Sequence, residues 1–279
     1  LQAAKAADKV VIFAGLPDSF ESEGYDRSHM RLPECQNRLI AEILKVQPNT
    51  VIVLHNGSPV ELPWLNDIKG LLEAYLGGQA GGTAVANILY GKVNPSGKLA
   101  ETMPLKLSDN PSYLNFGGGE KVEYREGVFV GYRYYDTKEM GVAYPFGYGL
   151  SYTTFACSDL KISNENPTDK DTITVSVDVT NTGNMAGKEV VQLYVKDCTS
   201  SAIRPELKGF EKVFLNPGET KTVTMELDKR SFAWYNTELH DWFAASGEYK
   251  LLVGTSSRDI HLEGRIHLNS SQELPMHVH

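Results

Sequence analysis

The chain has 279 residues, which is long enough for two domains with ordinary hydrophobic cores. Hydrophobic residues make up 41% and charged residues 22%, as is typical of a soluble globular protein. The formal net charge of −8 argues against a nucleic-acid partner, because binding to phosphates requires clustered Lys and Arg. No apolar run approaches the roughly 20 residues that cross a bilayer, so we expect no membrane partner either.

The cysteines give no sign of a disulfide framework or a metal site. Cys35, Cys157 and Cys198 are too few and too widely spaced for either. We therefore expect no metal and no organic cofactor. Unpaired thiols favour a reducing, cytoplasmic compartment, although the sequence itself carries no address. The chain starts at Leu1 without an initiator methionine or a signal peptide, which suggests a piece of a longer protein.

Strand and helix patterns alternate over residues 1–104. Residues 9–14 and 50–54 are continuous apolar runs, which predict strands buried on both faces, and residues 70–75 predict a third strand. Residues 36–45, opened by Pro33, and residues 81–89 predict helices. This order indicates a parallel α/β sandwich domain. Because only about three strand–helix units are visible, we expect it to be incomplete at its start.

A long connecting loop rich in Gly, Pro and Tyr is predicted for residues 105–158. From residue 159 the hydrophobic period changes to two, and turn signals separate short strands. We predict a fibronectin type III-like β-sandwich over residues 159–279, so that the fold class is α/β followed by all-β. Trp234 and Trp242 flank a predicted hairpin within it. The predicted strands cover residues 172–179, 189–195, 212–215, 220–227, 247–254 and 259–264.

The loop after the first strand carries the most promising chemistry. In an open parallel sheet, ligands bind beyond the carboxyl ends of the strands. This loop places Glu21, Glu23, Asp26 and Arg27 within seven residues. Neighbouring carboxylates raise one another's pKa, and a general acid at neutral pH requires a raised pKa. From residue types alone, however, a solvated acidic loop with a local Asp–Arg pair is the preferred interpretation.

An ordered set of motifs changes that interpretation. The set resembles the C-terminal part of family 3 glycoside hydrolases over about residues 8–268, and its order makes it specific where no single motif is. The motifs are Glu21–Arg27, Leu32–Pro33, Gln36–Ile40, His55–Val60, Pro63–Trp64, Gly77–Gly82, Gly91–Leu99, Tyr144–Ser151, Arg204–Phe210 and Pro217–Glu219.

The resemblance implies a retaining mechanism with two carboxylates. In this family, an Asp on a (β/α)₈ barrel attacks the anomeric carbon, and a Glu from the following domain protonates the leaving oxygen and then activates water. We therefore expect a β-glucosidase-like hydrolase acting on an oligosaccharide or an aryl or alkyl β-glucoside. Its partner would be the barrel domain of the same protein. This chain lacks the nucleophile and is expected to be inactive alone.

Two residues are candidates for the acid/base. Glu21 lies six residues after Gly15, which matches the spacing in some family members, and is the preferred candidate. Glu23 directly precedes Gly-Tyr-Asp-Arg, as the acid/base does in other members. Asp26 and Arg27 are expected to brace the loop. The alternative function is a non-catalytic carbohydrate-binding or scaffolding module, for which the loop carboxylates would be dispensable.

Overall fold

The computed structural model describes residues 1–117, 119–199 and 205–273. Gly118 of the predicted connecting loop and Arg204 of the Arg204–Phe210 motif lie outside the described residues. The chain forms two compact units. The first comprises residues 1–93, 103–127 and 141–144, and the second comprises residues 94–102, 128–140 and 145–279. The domain limits predicted from the sequence, at residues 104 and 158, stay a prediction.

The first unit is built on a three-stranded parallel sheet in the order β1-β2-β3, with β2 in the centre. Helices follow β1 and β3, as predicted for an α/β domain. A short antiparallel pair, β4-β5, completes the unit. Its elements are α1 (Gln2–Ala6), β1 (Val10–Gly15), α2 (Glu34–Leu44), β2 (Thr50–His55), β3 (Gly70–Glu73), α3 (Gly81–Leu89), β4 (Met103–Pro104) and β5 (Val142–Tyr144), with single 3₁₀ turns at Leu65–Asp67 and Leu107–Asp109.

The core of this unit lies on one side of the sheet, where α2 packs. Ile12, Ile40 and Ile52 from β1, α2 and β2 belong to one buried cluster. The central strand β2 is buried on both faces, as predicted. The same prediction for β1 is wrong, because Val11 is 42% and Phe13 61% exposed. As an edge strand, β1 has only one face covered by the described chain.

The second unit is an antiparallel β-sandwich, as predicted. One sheet has the strand order β10-β7-β6, the other has the order β14-β13-β8-β9, and β11 and β12 form the predicted hairpin. The elements are α4 (Tyr132–Thr137), β6 (Phe155–Ile162), β7 (Ile173–Asn181), β8 (Gly187–Asp197), β9 (Glu206–Leu215), β10 (Thr220–Leu227), α5 (Lys229–Phe232), β11 (Trp234–Asn236), β12 (Asp241–Phe243), β13 (Gly247–Ser256) and β14 (Asp259–Leu268).

One strand of the sandwich was not visible in the sequence pattern. In β7 every second residue is buried, which is the regular alternation that predicts a strand. In β6 the pairing with β7 shifts register between Ser158 and Lys161, and Asp159 adopts a positive φ of 55°. This β-bulge interrupts the alternation, so the pattern failed to reveal the strand.

Candidate functional site

The candidate loop leaves the sheet at a tightly fixed point. Gly15 ends β1, and its N–H donates to Gln36 Oε1 while its carbonyl accepts from Gln36 Nε2, both at 2.9 Å. A Cβ atom at this position would lie 2.1 Å from the carbonyl oxygen of His55, so a side chain does not fit. A glycine here therefore lets the loop start directly beside the end of β2.

Glu21 fastens the loop to the turn that follows β2. Its Oε2 accepts a hydrogen bond from the N–H of Gly57 at 2.6 Å, and its Oε1 accepts one from Ser58 Oγ at 2.7 Å. A Cβ atom on Gly57 would lie 3.1 Å from the Glu21 carboxylate, so this position also favours glycine. Both carboxylate oxygens of Glu21 are thus engaged within the chain.

Arg27 reaches the same turn from the far end of the loop. Its Nη2 donates to Ser58 Oγ at 2.6 Å and to the carbonyl of Pro59 at 3.0 Å. The Ser58 hydroxyl therefore joins Arg27 to Glu21. Asp26 is exposed, and no ion pair joins it to Arg27 in the part of the chain that the structure describes. The bracing contacts come from Arg27.

Glu23 lies at the tip of a tight turn between these two anchors. Ser22 and Tyr25 form an isolated antiparallel bridge, and Gly24 has a positive φ of 96°, which suits glycine. The Tyr25 hydroxyl donates to the carbonyl of Asp18 and holds the turn from below. Glu23 is exposed, and within residues 1–117, 119–199 and 205–273 its carboxylate has no hydrogen-bond or ion-pair partner.

A cavity of about 290 Å³ lies against the loop. It is lined by Ser19, Phe20, Tyr25, Asp26, Arg27, Ser28 and His29, and neither glutamate contributes to it. On the other side of β2, His55 Nδ1 lies 3.3 Å from the carbonyl oxygen of Tyr75, which follows β3. Polar contacts therefore connect the segments that follow all three parallel strands, at the edge where the sequence predicted a site.

The sequence interpretation missed the role of the Gly57–Ser58 turn. Ser58 attracts attention as a possible nucleophile, yet in the structure its hydroxyl is the shared link of the loop anchor. A usable signal was the position of Asn-Gly-Ser-Pro directly after the second strand, beside the acidic loop. Trp64, a candidate for sugar stacking, is buried and donates to Asn37 Oδ1 at 3.0 Å.

Two further properties bear on the kind of site this is. No cluster of three or more His, Cys, Asp or Glu side chains with the arrangement of a metal site occurs among the described residues. In the same residues, no helix is both long enough and apolar enough to cross a membrane. The chemistry available in the loop is that of carboxylates, hydroxyls and one guanidinium group.

Comparison with known proteins places this loop in a family context. Residues 1–152 match the glycosyl hydrolase family 3 C-terminal domain, and residues 189–257 match the fibronectin type III-like domain. The chain is 61% identical over 276 residues to thermostable β-glucosidase B of Acetivibrio thermocellus, covering 98% of the chain and 37% of that protein. It is 48% identical over 264 residues to exo-α-(1→6)-L-arabinopyranosidase of Bifidobacterium breve, covering 93% of the chain and 34% of that protein.

Solved structures agree. The family 3 β-glucosidase of Bifidobacterium adolescentis superposes with a TM-score of 0.93 at 45% identity, over 99% of this chain and 41% of its own. The β-glucosidase of Kluyveromyces marxianus in complex with glucose gives 0.90 at 48% identity, over 96% and 32%. The chain thus spans well under half the length of these relatives. Since the C-terminal-domain match alone covers more than half of its residues, the chain belongs to glycosyl hydrolase family 3.

Proposed function

We propose that this chain supplies the general acid/base of a retaining β-glycosidase, whose nucleophilic Asp lies on a barrel domain outside this chain. The observation that carries the proposal is an exposed carboxylate, Glu23, on a turn anchored from both sides at the carboxyl edge of the parallel sheet. The β-glucosidases among the relatives support the reaction class.

The geometry favours Glu23 over Glu21 as the acid/base. A general acid must meet the leaving oxygen of the substrate at hydrogen-bond distance. Both oxygens of Glu21 are already bound to Gly57 and Ser58, so a substrate would have to displace those contacts. The carboxylate of Glu23 is exposed and can meet a substrate without breaking any contact that the structure describes. We therefore assign Glu21 and Arg27 as positioning residues.

The reaction follows from these roles. In the first step the Asp carboxylate attacks the anomeric carbon, the glycosidic C–O bond breaks, and Glu23 gives its proton to the departing oxygen. In the second step Glu23, now a carboxylate, takes a proton from water as the water oxygen attacks the anomeric carbon and releases the Asp. Retaining enzymes hold the two carboxyl groups about 5–5.5 Å apart, which is the placement that we expect in the full-length protein.

The substrate class is a β-glucoside with an aryl, alkyl or sugar leaving group. One relative is an exo-α-(1→6)-L-arabinopyranosidase and others are β-glucosidases, although each covers this chain almost completely. We therefore assign the choice of sugar to the part of the protein outside this chain. The chain alone is expected to show no turnover, because the mechanism requires both carboxylates.

The test is hydrolysis of p-nitrophenyl β-glucoside by the full-length protein and by its Glu23→Gln and Glu21→Gln variants, with and without azide. Glu23→Gln should lose activity by about 10²–10⁴-fold, the usual contribution of general acid–base catalysis. Azide needs no general base, so it should restore turnover in this variant and give the glycosyl azide. Glu21→Gln should lose less activity and gain nothing from azide.

Two outcomes would contradict the assignment. Rescue of Glu21→Gln instead of Glu23→Gln would exchange the two roles. Full activity in both variants would exclude the loop from catalysis and favour the alternative, a carbohydrate-binding or scaffolding module. The isolated chain would then be tested for retention on a cellooligosaccharide column.

A further inference from the structure

The edge strand β1 leaves an apolar face open. Phe13 is 61% exposed, whereas Val53, its partner in the β1–β2 ladder, is 0% exposed. Because paired residues point to the same side of a sheet, this face is covered over β2 and open over β1. The Phe13 ring is stacked near the His55 ring, with 6.4 Å between centroids, and Val11 beside it is 42% exposed.

The same strand offers unpaired backbone groups. The N–H groups of Val10 and Leu16 donate to Asn49 and His55 at 3.0 and 2.9 Å, so the even-numbered residues of β1 face β2. The odd-numbered residues point away from it. At Gly15 these outward groups are both bound by the Gln36 amide, at 2.9 Å each. At Val11 and Phe13 the structure gives the outward groups no partner among the described residues.

Natural sheets protect a free edge with charges, prolines or bulges. The edge strand β14 of the sandwich follows this rule, since its exposed positions include Glu263 and Arg265, which pair with each other at 3.0 Å. The run Val10–Gly15 has no charged residue, no proline and an unbroken register with β2. Its composition is that of a strand with neighbours on both sides.

We propose that β1 is an interior strand of the full-length protein, and that a β-strand from the length outside this chain pairs with its outer edge at Val11 and Phe13. The chain spans 37% and 34% of two relatives, so ample sequence remains to supply such a strand. The Gln36 amide already occupies the outward groups of Gly15, so the added strand ends at Phe13. The polypeptide that follows it then covers the open face of the Phe13 ring.

Residue-resolved hydrogen exchange on the 279-residue chain and on the full-length protein tests this pairing. In the isolated chain the amides of Val11 and Phe13 should exchange at nearly the rate of an unfolded peptide. In the full-length protein they should exchange at least about 100-fold more slowly, as amides within a stable sheet do. The amides of Val51 and Val53, in the central strand, should be protected in both proteins. Equal exchange of Val11 and Phe13 in the two proteins would overturn the proposal.

A pair of variants provides a second readout. Phe13→Lys should lower the melting temperature of the full-length protein by several degrees, because it would place a charge beneath the added segment. In the isolated chain, where Phe13 is already exposed, the change should be small. The control is Phe214→Lys on β9, because Phe214 is 45% exposed and its ring already faces Lys221, whose Nζ lies 6.0 Å from the ring centroid. It should have little effect in either protein.

Sedimentation of the isolated chain separates this proposal from pairing between two copies. If the chain dimerises and the Val11 and Phe13 amides become protected only at high concentration, a second copy occupies the edge and the proposal is wrong. None of these readouts uses activity. Failure of the glutamate assignment would therefore leave this inference standing, and the reverse also holds.

Discussion

The two units of the chain are stabilised in different ways. The sandwich encloses a continuous core between two antiparallel sheets, with Val177, Leu193 and Leu251 fully buried. The α/β unit has a smaller core on one side of a three-stranded sheet, and its loops depend on a few polar contacts that converge on Ser58. Apolar burial maintains the first arrangement, whereas single hydrogen bonds maintain the second. The region that carries the chemistry is thus the one with the least packing behind it.

The largest expected effect is in the sandwich core. Leu251→Ala should lower the free energy of unfolding of the sandwich by about 2–5 kcal/mol, because it removes buried methyl groups and leaves a cavity. Urea denaturation followed by the fluorescence of Trp234 and Trp242 measures this change. Leu150→Ala is the matched control, since Leu150 is 71% exposed and should cost less than about 0.5 kcal/mol. A loss below 1 kcal/mol for Leu251→Ala would break the comparison between the units.

A smaller effect is expected at the loop anchor. Arg27→Ala removes two charge-assisted hydrogen bonds to Ser58 and Pro59 and should cost the α/β unit about 1.5–3 kcal/mol. The fluorescence of Trp64, the tryptophan of this unit, reports the transition. Asp26→Ala is the neighbouring control and should change little, because Asp26 is exposed. If Asp26→Ala cost as much as Arg27→Ala, bracing would depend on both residues, as the sequence suggested.

Regular periodicity accounts for what the sequence could predict. The continuous run at β2 and the strict alternation of β7 follow the local rules for buried and half-buried strands, and both strands form where these patterns place them. The bulge at Asp159 hid β6, because a pattern with period two has no place for an extra residue. The predicted burial of Phe13 fails for another reason, since covering both faces of β1 requires chain that this sequence does not contain.

The candidate site was predictable in place but not in its internal roles. Sheet topology put the acidic loop at a carboxyl edge, and the structure has it there. Which glutamate is anchored depends on Gly57 and Ser58, more than thirty residues away in sequence. Spacing along the loop cannot reveal such long-range partners. The preference for Glu21 therefore rested on the wrong kind of information, and the proposal for Glu23 rests on exposure and contacts.

Acid should weaken the sandwich through its carboxylates. The N–H of Thr168 lowers the pKa of Asp171, the Thr255 hydroxyl and then His261 lower the pKa of Asp259, and Lys250 lowers the pKa of Glu263. In the unfolded chain these pKa values return to about 3.9 for Asp and 4.3 for Glu. The stabilisation is therefore fully present above about pH 4.3 and is lost as the pH falls through the lower folded-state values.

Urea midpoints of the sandwich between pH 7 and pH 2.5, reported by Trp234 and Trp242, measure this dependence. We expect a flat region above about pH 5 and a steady fall below about pH 4. Asp171→Asn should make the fall shallower, because it removes one of the titrating groups. A midpoint that stayed constant down to pH 2.5 would show that these hydrogen bonds do not distinguish the folded from the unfolded state.

The smallest effect is one of reactivity rather than stability. Burial, together with the nearby charges of Glu189 and Asp259, raises the pKa of the Cys157 thiol to about 11. The thiolate is the form that reacts with iodoacetamide, so Cys157 should stay unmodified at pH 8 in the folded protein. Cys35 in the α/β unit and Cys198 in the sandwich are exposed and should both react. In urea all three should react alike, and mass spectrometry of tryptic peptides distinguishes them. Rapid modification of Cys157 at pH 8 would show that β6 opens readily from the sandwich, and the difference in packing between the two units would then be smaller than the static structure indicates.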